Sequence, residues 1–316
     1  MSDPVKVDVH MHLYQTPESG EWWKAGYEIF EYGEKPGVEF SRYSGTVDDA
    51  IQAMKEAGFA HGVAVNLLSV DLFRAEAIAI LQPEVEGEDR DRAVAEIDRT
   101  MADRFRDFNR WLVDTLRDVP QITPFVGADP WALTPEENVA HLTEMAERGA
   151  KGIKLHPVVQ RFEPGDPRMH PIYEACREMG LTVLSHTGSA KGGETYADPN
   201  GFASVLTDFP GLTLVLAHLG GGRWRQTADL AAAFPDLSFD LCEIIAWTDA
   251  PEAPSRHDLA KLIRRIGADR VMLGTDFPWY DLDITADQVM SLPLLSTEEK
   301  EAILGANAVR ILGLSV

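Results

Sequence analysis

Five of the nine histidines in this 316-residue chain close short apolar runs, in company with a lysine and an aspartate. The motifs are His10-Met11-His12, Lys154-Leu155-His156-Pro157, His186-Thr187-Gly188, His218-Leu219-Gly220 and Gly274-Thr275-Asp276-Phe277-Pro278. Imidazole and carboxylate bind divalent metals and move protons near neutral pH. His10 and His12 are two apart, so on a strand they project to the same side and can meet one ion together. That pair alone is weak, because two strand histidines hydrogen-bonded in a cavity mouth would read the same way. Adding His186, His218 and Asp276, each closing a further apolar run, favours a metal centre. The set suits zinc foremost, with manganese or iron as alternatives, and an open position would take a water. No cysteine-rich ribbon accompanies it, which argues against a purely structural zinc.

Such residues need a scaffold that gathers strand ends. Apolar runs at 5–12, 62–68, 122–127, 152–156, 181–186, 212–218, 237–241 and 271–274 read as eight strands. Amphipathic stretches separate them. One is the helix at 46–58, capped by Thr46 with Asp49 three residues on. Another is a long pattern through Val94, Ile97, Met101, Phe105, Phe108 and Leu112. Further helices are read at 134–148, 171–179, 202–208, 223–234, 257–266 and 297–314. Strands that are continuous apolar runs are covered on both sides. Eight βα units predict a single (β/α)8 barrel over 1–316, whose chemistry lies at the C-terminal strand ends. An open doubly wound sheet is the alternative, but no Gly-x-Gly-x-x-Gly turn follows the first strand. The 13–45 stretch carries Trp22, Trp23, Tyr27, Phe30, Tyr32, Phe40 and Tyr43 without a period, and is expected to be an ordered lid over the mouth. The acidic stretch 82–91 is expected to be a solvated excursion.

Other residues carry weaker signals. Arg42, Arg161 and Arg223 fall in segments that would overhang the mouth, where each can clamp a carboxylate or simply face solvent. Trp279 and Tyr280 can wall the pocket or pack the last loop. His156 follows Lys154 by two and would line the substrate pocket. Glu243 can touch substrate or orient a histidine. Cys242 reads as a small buried hydrophobe, and His61, His141, His170 and His257 as structural or exposed.

Composition narrows the partners. Lys plus Arg is 29 and Asp plus Glu is 51, so the formal charge is 29 − 51 = −22. That charge disfavours nucleic acid and anionic membranes, but not a small acid held by local cations. Only Cys176 and Cys242 occur, which fits a reducing cytoplasmic setting. No apolar run nears the roughly 18 residues that span a bilayer, and no signal-peptide pattern opens the chain. The apolar character of 13–45 and of the long helix leaves room for a homodimer interface.

The strand-end motifs, with Asp8-Val9-His10-Met11-His12 at one end and Asn307-Ala308-Val309-Arg310-Ile311-Leu312 at the other, resemble the amidohydrolase superfamily. More narrowly, the chain is similar to the amidohydrolase-related branch that includes aminocarboxymuconate semialdehyde decarboxylase. The resemblance implies that His10, His12, His186 and Asp276 hold a catalytic metal. It implies that His218 binds a second metal or assists proton transfer. Lys154 departs from the decarboxylases of that branch and looks more like the fourth strand of dihydroorotase-type members, where a carboxylated lysine bridges two metals. A bare ammonium cannot bind a cation. Lys154 as a carboxylated ligand, with two ions, and Lys154 as an ammonium pairing Asp276 or a substrate carboxylate, with one, both stay open.

The main expectation is therefore a metal-dependent hydrolase of an amide, lactone or ester. The pKa of a metal-held water falls from about 15.7 toward 7, and Asp276 takes its proton. The alternative is non-oxidative decarboxylation of a small unsaturated or aromatic acid. A metal-binding scaffold without catalysis is disfavoured, because all five positions carry reactive side chains.

Overall fold

Eight parallel strands follow one another in chain order: β1 (Val7–Met11), β2 (His61–Val65), β3 (Ile122–Gly127), β4 (Gly152–Leu155), β5 (Thr182–Ser185), β6 (Leu214–Leu216), β7 (Ser238–Asp240) and β8 (Val271–Met272). The computed structural model describes residues 4–26, 31–82 and 86–316. Each strand pairs with the next, and the last edge meets the first through backbone bonds just past β8. Val9 N–H donates to Leu273 O (3.0 Å), Asp276 N–H to His10 O (2.9 Å) and His12 N–H to Phe277 O (2.6 Å). The sheet is thus a nearly closed (β/α)8 barrel, as the spacing of apolar runs predicts.

Two apolar layers hold it. Val7, Val9, Val63, Val65, Phe125, Leu184, Val215 and Met272 form one buried cluster. They come from six strands, and only the inside of a closed sheet lets six strands meet. Ala308 of the C-terminal helix Asn307–Leu312 joins this cluster. The larger layer lies between strands and helices, and includes Leu112, Leu142, Ile172 and Leu259. Local chemistry sets the helix ends. Thr46 and Asp49 form a capping box on Val47–Ala57, and Gly58 ends it at φ 69. Thr134 with Glu137 caps Pro135–Arg148 in the same way.

Three differences from the sequence reading have physical reasons. A separate helix, Val70–Ala79, precedes the long one, which is Gly87–Leu116. Residues 87–91, read as a solvated excursion, are its first turn, where Glu88 and Asp89 meet the positive end of the helix dipole. The predicted helix at 223–234 begins only at Thr227, because Ala217–Gln226 is a tight turn with His218, Leu219 and Gly220 at positive φ.

The described residues of 13–45 hold the helix Pro17–Ala25 and, over 31–45, an irregular return. Tyr32 is buried and stacks on Trp247, with ring centres 6.0 Å apart. Tyr27 and Phe30, named above among its aromatics, lie outside the described residues. No helix among the described residues is long and apolar enough to cross a membrane.

Candidate active site

A cavity of about 270 Å³ opens at the C-terminal ends of the strands. His10, His12, Lys154, His156, His186, His218 and Asp276 line it. Seven residues read from the sequence therefore reach one space. They do so because a parallel barrel ends every strand on the same face. In β1 the pairing register shifts between Asp8 and Met11. There the buried Asp8 carboxylate accepts from His10 N–H (3.0 Å) and Thr275 N–H (3.0 Å), and also from the Thr275 hydroxyl. Such an irregularity re-aims side chains, and it ties the His10 strand to the Asp276 loop. Burial pushes the Asp8 carboxyl up to about 7.

The loop ends are strained. His218 (φ 60), Glu243 (φ 62) and Asp276 (φ 60) all sit in the left-handed region, and all three line the cavity. Side chains with a Cβ adopt that region at a cost, and such outliers gather where function fixes a geometry.

The hydrogen-bond network sets the tautomers. His10 Nδ1–H donates to Asp240 Oδ2 (3.0 Å), while Asp240 Oδ1 accepts from His218 N–H (2.9 Å) and Cys242 N–H (3.1 Å). His10 Nε2 is left with a lone pair. It lies 2.6 Å from Lys154 Nζ and 3.6 Å from Asp276 Oδ1. His12 Nε2 lies 3.1 Å from the same Asp276 oxygen. A carbonyl only accepts, so His218 donates Nδ1–H to Cys242 O (3.2 Å) and receives His186 Nδ1–H at Nε2 (2.9 Å). That leaves the His186 Nε2 lone pair on the side of Glu31 Oε1, 3.9 Å away. His156 stacks face to face on His186, with ring centres 3.8 Å apart.

Burial pushes the pKa values of all five imidazoles down, so they are neutral near pH 7. For Asp276 burial acts upward. The hydrogen bond and charge of His12, with His10 and His218, outweigh it and hold the carboxyl well below its usual range. Burial lowers the Lys154 ammonium, against the pull of Asp276.

These donors fit a divalent metal. Around zinc with bonds of about 2.0–2.1 Å, tetrahedral donors lie about 3.3–3.4 Å apart. The 3.1 and 3.6 Å separations of His12 and His10 from Asp276 bracket that edge. Neutral imidazole lone pairs and an ionised carboxylate are the protonation states a metal requires. The Cys242 thiol also falls in this group, within 4.8 Å of the His10 and Asp276 donor atoms. The sequence reading as a plain hydrophobe holds for its burial but missed its neighbours. Burial pushes the thiol well up, so it stays protonated there. His186 stands one ring further away, on His218 and His156.

The arginines go elsewhere. Arg42 does not overhang the mouth: its guanidinium meets Glu56 (2.6 Å) and the Tyr43 hydroxyl (2.9 Å), and its side chain is 70% exposed. Arg223 pairs with Asp198 (3.1 Å), outside the lining, and Arg161 with Asp71 (3.2 Å). In each case a nearer carboxylate takes the charge, at the surface for Arg42 and Arg161 and half-buried for Arg223. Trp279 does wall the pocket, edge-on to His12 with ring centres 5.4 Å apart. Glu243 Oε2 lies 3.4 Å from His218 Nδ1. His61 and His141 are hydrogen-bonded to Thr123 (2.8 Å) and Asn109 (3.1 Å), as structural histidines.

Two lining or supporting carboxylates escaped the sequence. Asp240 was legible in principle, since it closes β7, but Glu243 drew attention instead. Glu31 was not, because it arrives from the irregular 13–45 segment. It is buried, accepts from Gly222 N–H (2.6 Å), and burial pushes its carboxyl up to about 7.

With this geometry in place, comparison with known proteins is direct. The amidohydrolase family model matches residues 7–314. The chain belongs to the amidohydrolase family. Members of this family typically hold a divalent metal. A 2-amino-3-carboxymuconate-6-semialdehyde decarboxylase of Dictyostelium discoideum is 26% identical over 242 residues, 66% of this chain and 67% of that protein. Among solved structures, an uncharacterised TIM-barrel protein from Bordetella bronchiseptica aligns with a TM-score of 0.69 at 21% identity, over 98% of both chains. A 5-carboxyvanillate decarboxylase from Sphingomonas paucimobilis aligns with a TM-score of 0.65 at 15% identity, over 99% of this chain and 100% of that one. At these identities the structural likeness speaks for the barrel alone.

Proposed function

We propose that this amidohydrolase is a metal-dependent decarboxylase of a small unsaturated or aromatic carboxylic acid. The observation that carries this reading is the placement of Lys154. Its Nζ lies 2.6 Å from the His10 lone pair, at the donor set formed with His12 and Asp276. A carboxyl group on Nζ would have to enter that contact, so the arrangement favours an uncarboxylated Lys154 ammonium beside a single ion. That weighs against the two-metal hydrolase expected from the sequence. The decarboxylase relative from Dictyostelium discoideum supports the same direction. The cavity, at about 270 Å³, lies just under the roughly 300–1,000 Å³ of pockets for drug-sized ligands, which suits one ring or a short chain.

In this reading His10, His12 and Asp276 hold the metal, with His186 and Cys242 nearby. When bound, the metal supplies a Lewis acid that draws electrons from substrate oxygens. Lys154 binds the acid's negative charge at the base of the cavity. The bond between the carboxyl carbon and its neighbour breaks, carbon dioxide leaves, and the neighbour keeps the electron pair and takes one proton. His186 can carry that proton: its Nε2 lone pair takes one from water and passes it to the carbon, while the hydrogen bond to His218, itself fixed on Cys242 O, supports the ring as it charges. Trp279, Tyr14 and Trp23 exclude water from the remaining walls.

The test is a panel of small unsaturated and aromatic acids incubated with zinc- or manganese-loaded protein in D2O. One carbon dioxide per product, with one deuterium at the carbon that bore the carboxyl, is expected, and a chelator should abolish it. Metal-dependent hydrolysis of amides or lactones without carbon dioxide release would overturn the reading.

A further inference from the structure

Glu31 lines the cavity from the irregular return and brings a carboxylate to it. Glycine and main chain surround that carboxylate. An added Cβ at Gly188 would come within 2.5 Å of Glu31 Oε1, and one at Gly221 within 2.5 Å of Oε2. Both glycines also hold positive φ, at 157° and 51°. The turns after β5 and β6 are thus stripped of side chains where this carboxylate enters. Backbone N–H groups of Gly222 and Ser189 donate to it, with Gly222 N at 2.6 Å from Oε2. A carboxylate offers about four acceptor sites, so two backbone donors leave it capacity to accept more. Oε1 faces His186 Nε2 at 3.9 Å, too far for a hydrogen bond.

We propose that Glu31 selects the substrate: it receives a hydroxyl or amino group carried by the acid and excludes a second carboxylate from that position. The inference rests on the reading of this cavity as a site for a small carboxylic acid. The chemistry is one of sign. Lys154 stands at the base of the cavity, while Arg42 and Arg161 pair with carboxylates away from it. Arg223 pairs with Asp198 outside the lining, and its charge draws the Glu31 carboxyl down against burial, which favours the ionised form. The substrate's leaving carboxylate therefore lies toward Lys154 and the metal donors. Its other end meets an acceptor held rigidly by main chain. An O–H or N–H donor there gains a charge-assisted hydrogen bond, whereas a carboxylate there faces like charge in a buried site.

The probes are benzoate, the 2-, 3- and 4-hydroxy- and aminobenzoates, and the three benzenedicarboxylates, titrated calorimetrically into zinc-loaded protein. The measurement is made at about pH 8.5, so that the Glu31 carboxyl, pushed up to about 7, is ionised. At one ring position the hydroxy or amino acid should bind roughly 10- to 100-fold tighter than benzoate, the range expected of a hydrogen bond to a charged group. The dicarboxylate of that position should bind weakest. In Glu31→Gln the ratio of hydroxybenzoate to benzoate affinity should collapse toward one, and the dicarboxylate should gain. Glu31→Asp, which keeps the charge, should retain the order. If the glutamine variant fails to fold, the wild-type ranking still decides. A dicarboxylate binding tightest, or a ranking unchanged in a folded Glu31→Gln, would overturn the proposal. Because binding needs no turnover, an absent decarboxylase activity with the ranking intact would sink the proposed reaction and leave this inference standing. Carbon dioxide release with no donor preference would do the reverse.

Discussion

At the scale of single residues, Asp240 organises more of the site than any residue read from sequence. Its one carboxylate fixes the His10 ring and accepts the backbone N–H groups of His218 and Cys242. It thereby ties β1, β6 and the β7 loop together and keeps a lone pair on His10 Nε2, beside Lys154 Nζ, for an ion. Asp240→Asn keeps the volume but turns an N–H₂ group toward a cluster of N–H donors. Carboxylates that orient metal-binding imidazoles typically contribute 10- to 100-fold in affinity. We expect zinc affinity to fall by about that factor, read by titration against a competing chelator, with activity partly restored at saturating metal. Unchanged affinity would show that His10 does not depend on Asp240. The contrast with the arginines shows what a sequence can reveal at this scale. His10, His12, His156, His186, His218, Lys154 and Asp276 were legible because their place at a strand end already fixes their direction. Arg42 and Arg223 were not, because a long flexible side chain goes to the nearest carboxylate, here Glu56 and Asp198, and those neighbours are set only by the fold.

At the scale of elements, the barrel was legible and the approach to its mouth was not. Continuous apolar runs and capping residues are local signals, and they place all eight strands and the helix Val47–Ala57 within a few residues. The 13–45 segment has no period because single ties hold it, some across the segment itself and some to the barrel, as Tyr32 on Trp247. Lys24 shows how it is held. Its Nζ is buried and donates to Ser41 O (2.9 Å) and Tyr43 O (2.7 Å), fastening the helix Pro17–Ala25 to the returning chain. Lys35 does the same to Ala246 O (2.7 Å) and Thr248 O (2.8 Å) beyond β7. We propose that the segment works as a lid, so that Lys24→Met loosens it without reaching the metal donors. Losing hydrogen bonds to a charged group of this kind changes an equilibrium by roughly 10-fold or more. KM should rise by about that factor while metal content is unchanged, and amide exchange should quicken in 31–45. A fall in cooperative unfolding temperature without local exchange would instead make the segment part of the barrel core.

At the scale of the molecule, the formal charge of −22 acts on any anionic substrate before it reaches the site. The two fields have different reach. Repulsion from the whole surface extends over about 30 Å at 10 mM salt and shrinks to about 8 Å at 150 mM. Attraction by Lys154 and the metal site acts at close range, inside low-dielectric walls where salt screens little. Added salt should therefore remove the repulsion and spare the attraction. For the acid substrate, kcat/KM should rise between these salt concentrations, by a factor of about 2–10, while kcat at saturation stays flat. Sodium chloride and sodium acetate should be compared at equal ionic strength, because an anion competing for Lys154 would lower the rate in one salt and not through screening. A fall of kcat/KM common to both salts would mean that the mouth itself is the attractive field. The charge would then be arranged around the site rather than against its substrate, and Glu31 would stand as a local exception within a cationic funnel.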